Sequence, residues 1–288
     1  MSIIKELAAK FAANQRTTVK ESRAVTPIYD EEQLRALTSA IDSTAPEWLA
    51  LWYHISIETG ARTSDVASLR FADINLKTGQ LSYVVQKQTK AARARAVRKG
   101  VEHVRKARMA HASDAEYRQL STMDAETLAL SLTPEEEAII ADCVGTANCK
   151  VDSKYLSPEL TKRIADYQES CFAEDDEFMF PASCSGSNRA QGLNDQPISR
   201  QTIWRKMKVF MERAEQLATD IKLHLSAYST RKIAAYWFMK KADAEHPGSG
   251  LAIAMERLGH SSVEMTRRYL GLDRLAEALQ RKLAGWAA

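Results

Sequence analysis

The sequence predicts a mainly α-helical protein with one small antiparallel β-sheet, an α+β class. Three observations carry this. Long stretches place apolar residues at helical spacing. Strand-like composition is confined to a short region after Thr78-Gly79. The 288 residues, 45% hydrophobic and 27% charged, suffice for an ordinary core and are too apolar for a disordered chain.

The elements follow in order. Residues 3–14 carry Ile3, Ile4, Leu7, Ala8 and Phe11 on one face, a short amphipathic helix, and residues 15–24 are a polar linker. A compact domain begins at Thr26. Thr26-Pro27 or Asp30 opens a helix with Glu31 and Glu32 in its first turn and Leu34, Leu37 and Ile41 on one face. Residues 48–59 are apolar enough for a buried helix ended by Gly60, and another helix spans 63–69. After the Thr78-Gly79 turn, 81–85 is a strand and 94–98 a weaker one, with 86–93 as a basic hairpin loop between them. Residues 101–172 read as mostly helical, with Thr133 as cap and Pro134 at the first helical position. A Ser/Gly/Asn/Pro-rich loop covers 181–197. Helices then span 197–218, 231–242 and 252–258, and an amphipathic helix closes the chain over 273–286.

The net charge of +3 excludes little, but its distribution is uneven. Nine Lys/Arg and one acid, Glu102, fall between Lys87 and Arg108, a basic face suited to a DNA backbone. No apolar run approaches the ~18 residues of a membrane span, and the N-terminus lacks a secretion signal, so a cytoplasmic, DNA-associated location is expected. Cys143, Cys149, Cys171 and Cys184 have no C-x-x-C spacing and are expected as free thiols. No metal site is expected.

Four segments carry candidate chemistry. Arg62 follows Thr59-Gly-Ala, with Asp65 one turn on to hold its guanidinium, and an arginine fork can bind two phosphate oxygens. Lys87 and Lys90 stand in the basic segment, and a lysine can protonate a departing oxygen. Arg231 ends Tyr228-Ser-Thr-Arg231, with His224 one helical turn before Tyr228. His260 follows a glycine that permits close approach, and Tyr269 comes nine residues later in Leu258-Gly-His-Ser-Ser-Val-Glu-Met-Thr-Arg-Arg-Tyr269. A phenol can attack phosphorus and store the bond as a phosphotyrosine, with no metal or nucleotide cofactor.

This ordered set resembles the tyrosine recombinases, the phage integrase and Xer-like family that cuts DNA through a phosphotyrosine. The resemblance runs from about Thr26 to Tyr269 and implies that family's catalytic-domain fold. It implies Arg62, Lys90, Tyr228, Arg231, His260 and Tyr269 as catalytic residues, Asp65 as support, and Lys87 and His224 as alternatives. Arg93, Arg95, Arg98 and Lys99 would bind DNA. The departure is Tyr228, where the family usually has histidine; a phenol is a poorer base at neutral pH.

The implied activity is site-specific strand cleavage and rejoining through a 3′-phosphotyrosine, without cofactors, in DNA recombination or integration by a mobile element. The implied partners are double-stranded DNA, further copies of the chain as a dimer or tetramer on DNA, and an accessory protein. The alternatives are a catalytically weak or inactive DNA- or partner-binding protein of the same fold, and a topoisomerase-like or telomere resolvase-like enzyme. The expected organisation is a helix and linker over 1–25 and a catalytic domain over 26–288, with an insertion around 101–150 and the C-terminal helix 273–286. The roughly 25 leading residues are too few for the family's N-terminal clamp domain, so a catalytic domain alone, or a piece of a longer protein, is expected.

Overall fold

The computed structural model describes residues 25–129, 131–145, 150–187, 191–216 and 224–283. The helix and linker expected before Thr26, Cys149 and Trp286 lie outside them. The element order is α1 (Glu31–Thr44), α2 (Glu47–Thr59), α3 (Thr63–Ala67), a 3-10 turn (Phe71–Asp73), β1 (Ile74–Asn75), β2 (Gln80–Val84), α4 (Gln86–Ala110), α5 (Asp114–Thr122), α6 (Ala125–Ala129), α7 (Pro134–Gly145), β3 (Val151–Tyr155), α8 (Pro158–Cys171), a second 3-10 turn (Ala182–Ser185), α9 (Arg200–Gln216), α10 (Ser229–Glu245), α11 (Gly250–Leu258), α12 (Val263–Leu270) and α13 (Leu272–Leu283). The fold is mainly α with a small antiparallel sheet, as the sequence predicts. No described helix is long and apolar enough to cross a membrane.

The chain divides into two compact units: the described residues up to Thr63 together with those from Arg200, and Ser64–Ser199. In the first unit α1 starts because the Asp30 carboxylate accepts the Gln33 N–H at 2.9 Å, and it buries Leu37 and Ile41. α2 is buried nearly all round, including Trp48, Leu49, Leu51, Trp52 and Ile55, which explains its unbroken apolar sequence. It stops at Gly60, whose φ of +64° is left-handed and whose N–H caps the Ser56 carbonyl. α9 packs against α1 and α2 and buries Ile203, Met207 and Met211. A second cluster, of Ala235 and Tyr236 from α10, Ala254 and Leu258 from α11, and Leu270 from α12, sits under the C-terminal helices.

The second unit holds the sheet, ordered β1-β2-β3 and antiparallel throughout. Val84 pairs with Val151 and Gln80 with Tyr155, so everything from Val85 to Lys150 lies between two paired strands. That stretch is α4–α7. α4 crosses α7 at Gly100, where a Cβ would stand 3.2 Å from the Ile140 Cα. Lower on the same pair Arg108 grips Glu136 through Nε at 2.7 Å and Nη2 at 2.5 Å, and donates to the Ser131 carbonyl at 2.7 Å.

Two expectations are overturned here. Residues 86–93 are not a hairpin loop and 94–98 not a strand; both belong to α4. The segment has Ala91, Ala92, Ala94 and Ala96 among Lys, Arg and Gln, all strong helix formers, and no glycine, proline, asparagine or aspartate to turn it before Gly100. The strand that pairs with β2 is β3, inside the stretch read as mostly helical. Its five residues alternate exposed and half-buried at a sheet edge and carry little apolar signal.

Candidate active site

In the first unit the structure brings together Arg62, Tyr228, Arg231, His260 and Tyr269. Gly60 directs the chain out of α2, and the Cβ of Ala234 on α10 lies 3.6 Å from where a Gly60 side chain would begin. Arg62 follows two residues later, half-buried, and Thr63 Oγ1 donates to the Ala227 carbonyl at 3.4 Å. This joins the Arg62 segment to the one bearing Tyr228 and Arg231.

Arg231 lies in the first turn of α10. Its guanidinium donates Nη1 to the Gly60 carbonyl at 2.5 Å and Nη2 to the Leu258 carbonyl at 2.8 Å. Both acceptors terminate helices, α2 and α11, where carbonyls lack intrahelical partners. The guanidinium thus stands in place before any ligand arrives, so little of its conformational entropy remains to be lost on binding.

His260 comes just after α11. Gly259 takes φ +65° and lets the chain reverse, and the His260 N–H caps the Met255 carbonyl. Its Nδ1 lies 3.0 Å from Thr266 Oγ1, which orients the ring. α12 starts at the Ser262 cap and carries Tyr269 one residue from its end. The rings of His260 and Tyr269 meet edge to face, 5.0 Å apart at 80°.

The electrostatics agree with the geometry. Burial raises the Tyr269 phenol above its ordinary value, and Arg231, by charge and as a hydrogen-bond donor, and Arg62 pull it back. Burial holds His260 below the ordinary histidine value, and the charges of Arg231 and Arg62 add to this. Tyr269 and His260 are thus both neutral at rest in the field of two arginines, an arrangement open to an anion.

Three features escaped sequence reading. Lys232, beside Arg231, places Nζ 4.6 Å from the centroid of the Tyr269 ring and donates to the Val25 carbonyl at 2.6 Å. Burial lowers its pKa, and Arg274 adds to that. Arg200 donates to the Tyr228 hydroxyl at 2.6 Å, so that exposed phenol is already engaged. The segment before α1 straps this region: Tyr29 Oη donates to the Leu270 carbonyl at 2.9 Å, just past Tyr269, and Trp237 Nε1 donates to the Ile28 carbonyl at 3.0 Å. Adjacency to Arg231 was the only signal for Lys232.

The remaining candidates lie as follows. His224 precedes α10 outside any helix, and its backbone exchanges hydrogen bonds with Thr26. Lys87, Lys90, Arg93, Arg95, Arg98 and Lys99 all project from α4 and are exposed. Asp65 is buried in the second unit, where Oδ1 accepts the Gln86 N–H at 3.1 Å and anchors the first turn of α4. Among the described residues no group of His, Cys, Asp and Glu could hold a metal ion. α13 lays Leu272 and Leu275 on the cluster under the C-terminal helices, while Leu279 is exposed.

Residues 148–274 match the model of the phage integrase family. The match takes in Tyr228, Arg231, His260 and Tyr269 and stops short of Arg62, Lys87 and Lys90. No curated protein matches the chain. Among solved structures, XerA recombinase is 16% identical with a TM-score of 0.48, over 90% of this chain and 65% of that one. XerH site-specific recombinase, in a post-cleavage complex with palindromic difH substrate, is 13% identical with a TM-score of 0.48, over 91% and 55%. A lambda integrase dimer on a COC′ core site is 14% identical with a TM-score of 0.43, over 86% and 48%. The chain therefore spans about half to two thirds of the length of these proteins.

Proposed function

We propose that this chain cleaves and rejoins DNA strands as a tyrosine recombinase. The observation that carries the reading is Tyr269 at the end of α12, edge-on to His260 and within the field of Arg231 and Arg62. Arg62 and Arg231 bind the nonbridging oxygens of the scissile phosphate and stabilise the charge that develops there. His260, neutral and oriented by Thr266, donates a hydrogen bond to the same phosphate. The Tyr269 oxygen attacks phosphorus and gives up its proton to solvent water. The bond from phosphorus to the 5′ oxygen breaks, giving a 3′-phosphotyrosine and a 5′ hydroxyl.

Lys90, with Lys87 as the alternative, supplies the proton to that 5′ oxygen. Attack by a second 5′ hydroxyl reverses the step and exchanges strands without hydrolysis. Tyr228, with His224 as the alternative, takes the place of the family's usual histidine. Asp65 supports the Arg62 guanidinium, and Arg93, Arg95, Arg98 and Lys99 hold DNA. No cofactor enters the scheme.

In this reading residues 26–288 are the catalytic domain, with an insertion around 101–150. The working unit is a dimer or tetramer on double-stranded DNA in the cytoplasm, and an accessory protein takes part. The task is site-specific recombination or integration by a mobile element. The test is to trap covalent protein–DNA adduct on a nicked cognate site. The parent forms it and Tyr269→Phe does not; adduct from Tyr269→Phe refutes the nucleophile.

One observation favours a second reading, a DNA-binding protein of weak or absent activity. Tyr228 stands where the family has histidine, and its hydroxyl is engaged by Arg200. Specific duplex binding without adduct on authentic sites selects this reading. Topoisomerase-like or telomere resolvase-like rejoining is separated from exchange by product topology on plasmid and hairpin substrates.

A further inference from the structure

α4 is 25 residues long, and its two halves differ in environment. From Gly100 onward, Gly100, Val101 and Val104 are buried, and the arginines are used internally: Arg105 Nε lies 3.4 Å from Glu102, and Arg108 grips Glu136. Before Gly100 the one buried residue is Thr89. Lys87, Lys90, Arg93, Arg95, Arg98 and Lys99 are all exposed, and none meets an acid among the described residues.

Such a segment is disfavoured on its own. Lys87/Lys90, Lys90/Arg93, Arg95/Arg98 and Arg95/Lys99 are like-charge pairs three or four residues apart, and each opposes the helix. Lys87 and Lys90 also stand at the positive end of the helix dipole, which favours anions. A polyanion removes both costs.

The placement around the helix says which polyanion surface fits. At about 100° per residue, Thr89, Ala92 and Ala96 face inward with Gly100. The opposite row is Lys87, Ala91, Ala94 and Arg98, and both alanines are exposed. Lys90 flanks that row on one side, with the exposed Val97 beyond it and Arg93 close to the inward face, and Arg95 and Lys99 flank it on the other. A narrow outer row between two cationic flanks suits a groove with two anionic walls. The major groove of duplex DNA, about 12 Å wide, admits a helix, whereas the minor groove, about 6 Å wide, does not.

We propose that residues 86–99 of α4 dock in the major groove of duplex DNA, with the flanking cations on both phosphate backbones and Ala91 and Ala94 against base edges. The inference rests on the DNA-processing reading and shares with it Lys90 and Lys87, the alternatives for the proton donor, but not the nucleophile and its arginines, and it replaces the hairpin that the sequence suggested.

The test titrates the full chain with a labelled duplex of about 30 base pairs lacking any cognate site, across about 50 to 200 mM salt. The triple variant Arg95→Ala, Arg98→Ala, Lys99→Ala removes two flanking phosphate contacts and one cation of the outer row, so it should lose about 2 units of salt slope and bind at least about thirtyfold more weakly near 150 mM salt. The matching triple Arg95→Lys, Arg98→Lys, Lys99→Arg should restore most of both. Removing like charges favours the helix, so the far-UV circular dichroism should hold and the loss is not unfolding. Methylation of guanine N7, in the major groove, should impede the parent, and a minor-groove ligand should not compete.

An unchanged slope overturns the proposal and would mean that α4 faces an acidic protein or solvent instead. A reduced slope with harmless N7 methylation and displacement by the minor-groove ligand also overturns it. If Tyr269 forms no adduct while slope and methylation behave as expected, the cleavage reading fails and the docking of α4 stands. If adduct forms while the slope is unchanged, the docking of α4 fails and the cleavage reading stands.

Discussion

Gly271→Ala tests whether the strap before α1 holds the nucleophile's helix in place. Gly271 ends α12 with φ +68°, and an added Cβ would stand 2.8 Å from Tyr29 Oη. A left-handed L-residue costs about 1–2 kcal/mol, which the reduced freedom of alanine in the unfolded chain offsets by about 0.5–1. Tyr29 must also withdraw, which breaks its 2.9 Å bond to the Leu270 carbonyl. Losing that bond in a half-buried setting costs about 1–1.5 kcal/mol. Gly271→Ala should therefore destabilise by about 2–2.5 kcal/mol and Tyr29→Phe alone by about 1–1.5.

In the Tyr29→Phe background the bond is already gone and the hydroxyl no longer obstructs the methyl. Gly271→Ala should then cost only the backbone strain, about 1 kcal/mol. The double-mutant cycle should show a coupling of about 1–1.5 kcal/mol, read from urea denaturation midpoints at constant slope. Adduct formation should slow in Gly271→Ala and partly recover in the double variant, because the end of α12 that carries Tyr269 relaxes back. Additivity within about 0.5 kcal/mol would refute the reasoning, since it would mean that Tyr29 does not feel position 271.

His260 is held below the ordinary histidine value, chiefly by burial and then by Arg231 and Arg62. A depressed folded value favours the fold while the ring is neutral, and that contribution is lost as pH falls from the ordinary value through the folded one. An NMR titration of the His260 ring should show this low value and a rise when inorganic phosphate binds beside the arginines; no rise would count against a shared phosphate site. Lys232→Met removes a cation from the face of Tyr269 and should slow adduct formation about 3- to 30-fold. It should also move the alkaline limb of the pH–rate profile upward, while Lys232→Arg stays near the parent; equal loss in both variants would assign Lys232 to packing alone. Glu136 is held down to about 2, first by the Arg108 guanidinium and then by the Thr133 N–H. Its contribution is present above the ordinary carboxylate value and disappears as pH falls toward 2. Discounted for partial exposure, Glu136→Gln should cost about 1–2 kcal/mol at neutral pH and flatten the acid loss in that window, as measured by denaturation from pH 7 to 3.

Much of this protein was legible in one dimension because its signals are local. Asp30 before Glu31 and Glu32 caps α1 as its sequence predicts, since capping needs only a carboxylate three residues before an N–H. Apolar residues along α2 implied burial on all sides, and the structure buries them. His260 and Tyr269 are nine residues apart, separated only by a tight turn and α12, so the sequence alone constrained their proximity.

Tertiary structure decided the rest. Between Val84 and Val151 the backbone pairs across a long sequence gap, and no local rule says which strand closes a ladder. Charge density around Lys90 was visible, but its conformation depended on alanine-rich propensity, on Asp65 meeting Gln86, and on α7 accepting α4 at Gly100. Arg231 shows the division most clearly. Its chemistry is evident from its type and neighbours, but its position is set by carbonyls at Gly60 and Leu258, the ends of two distant helices that only folding brings to one guanidinium.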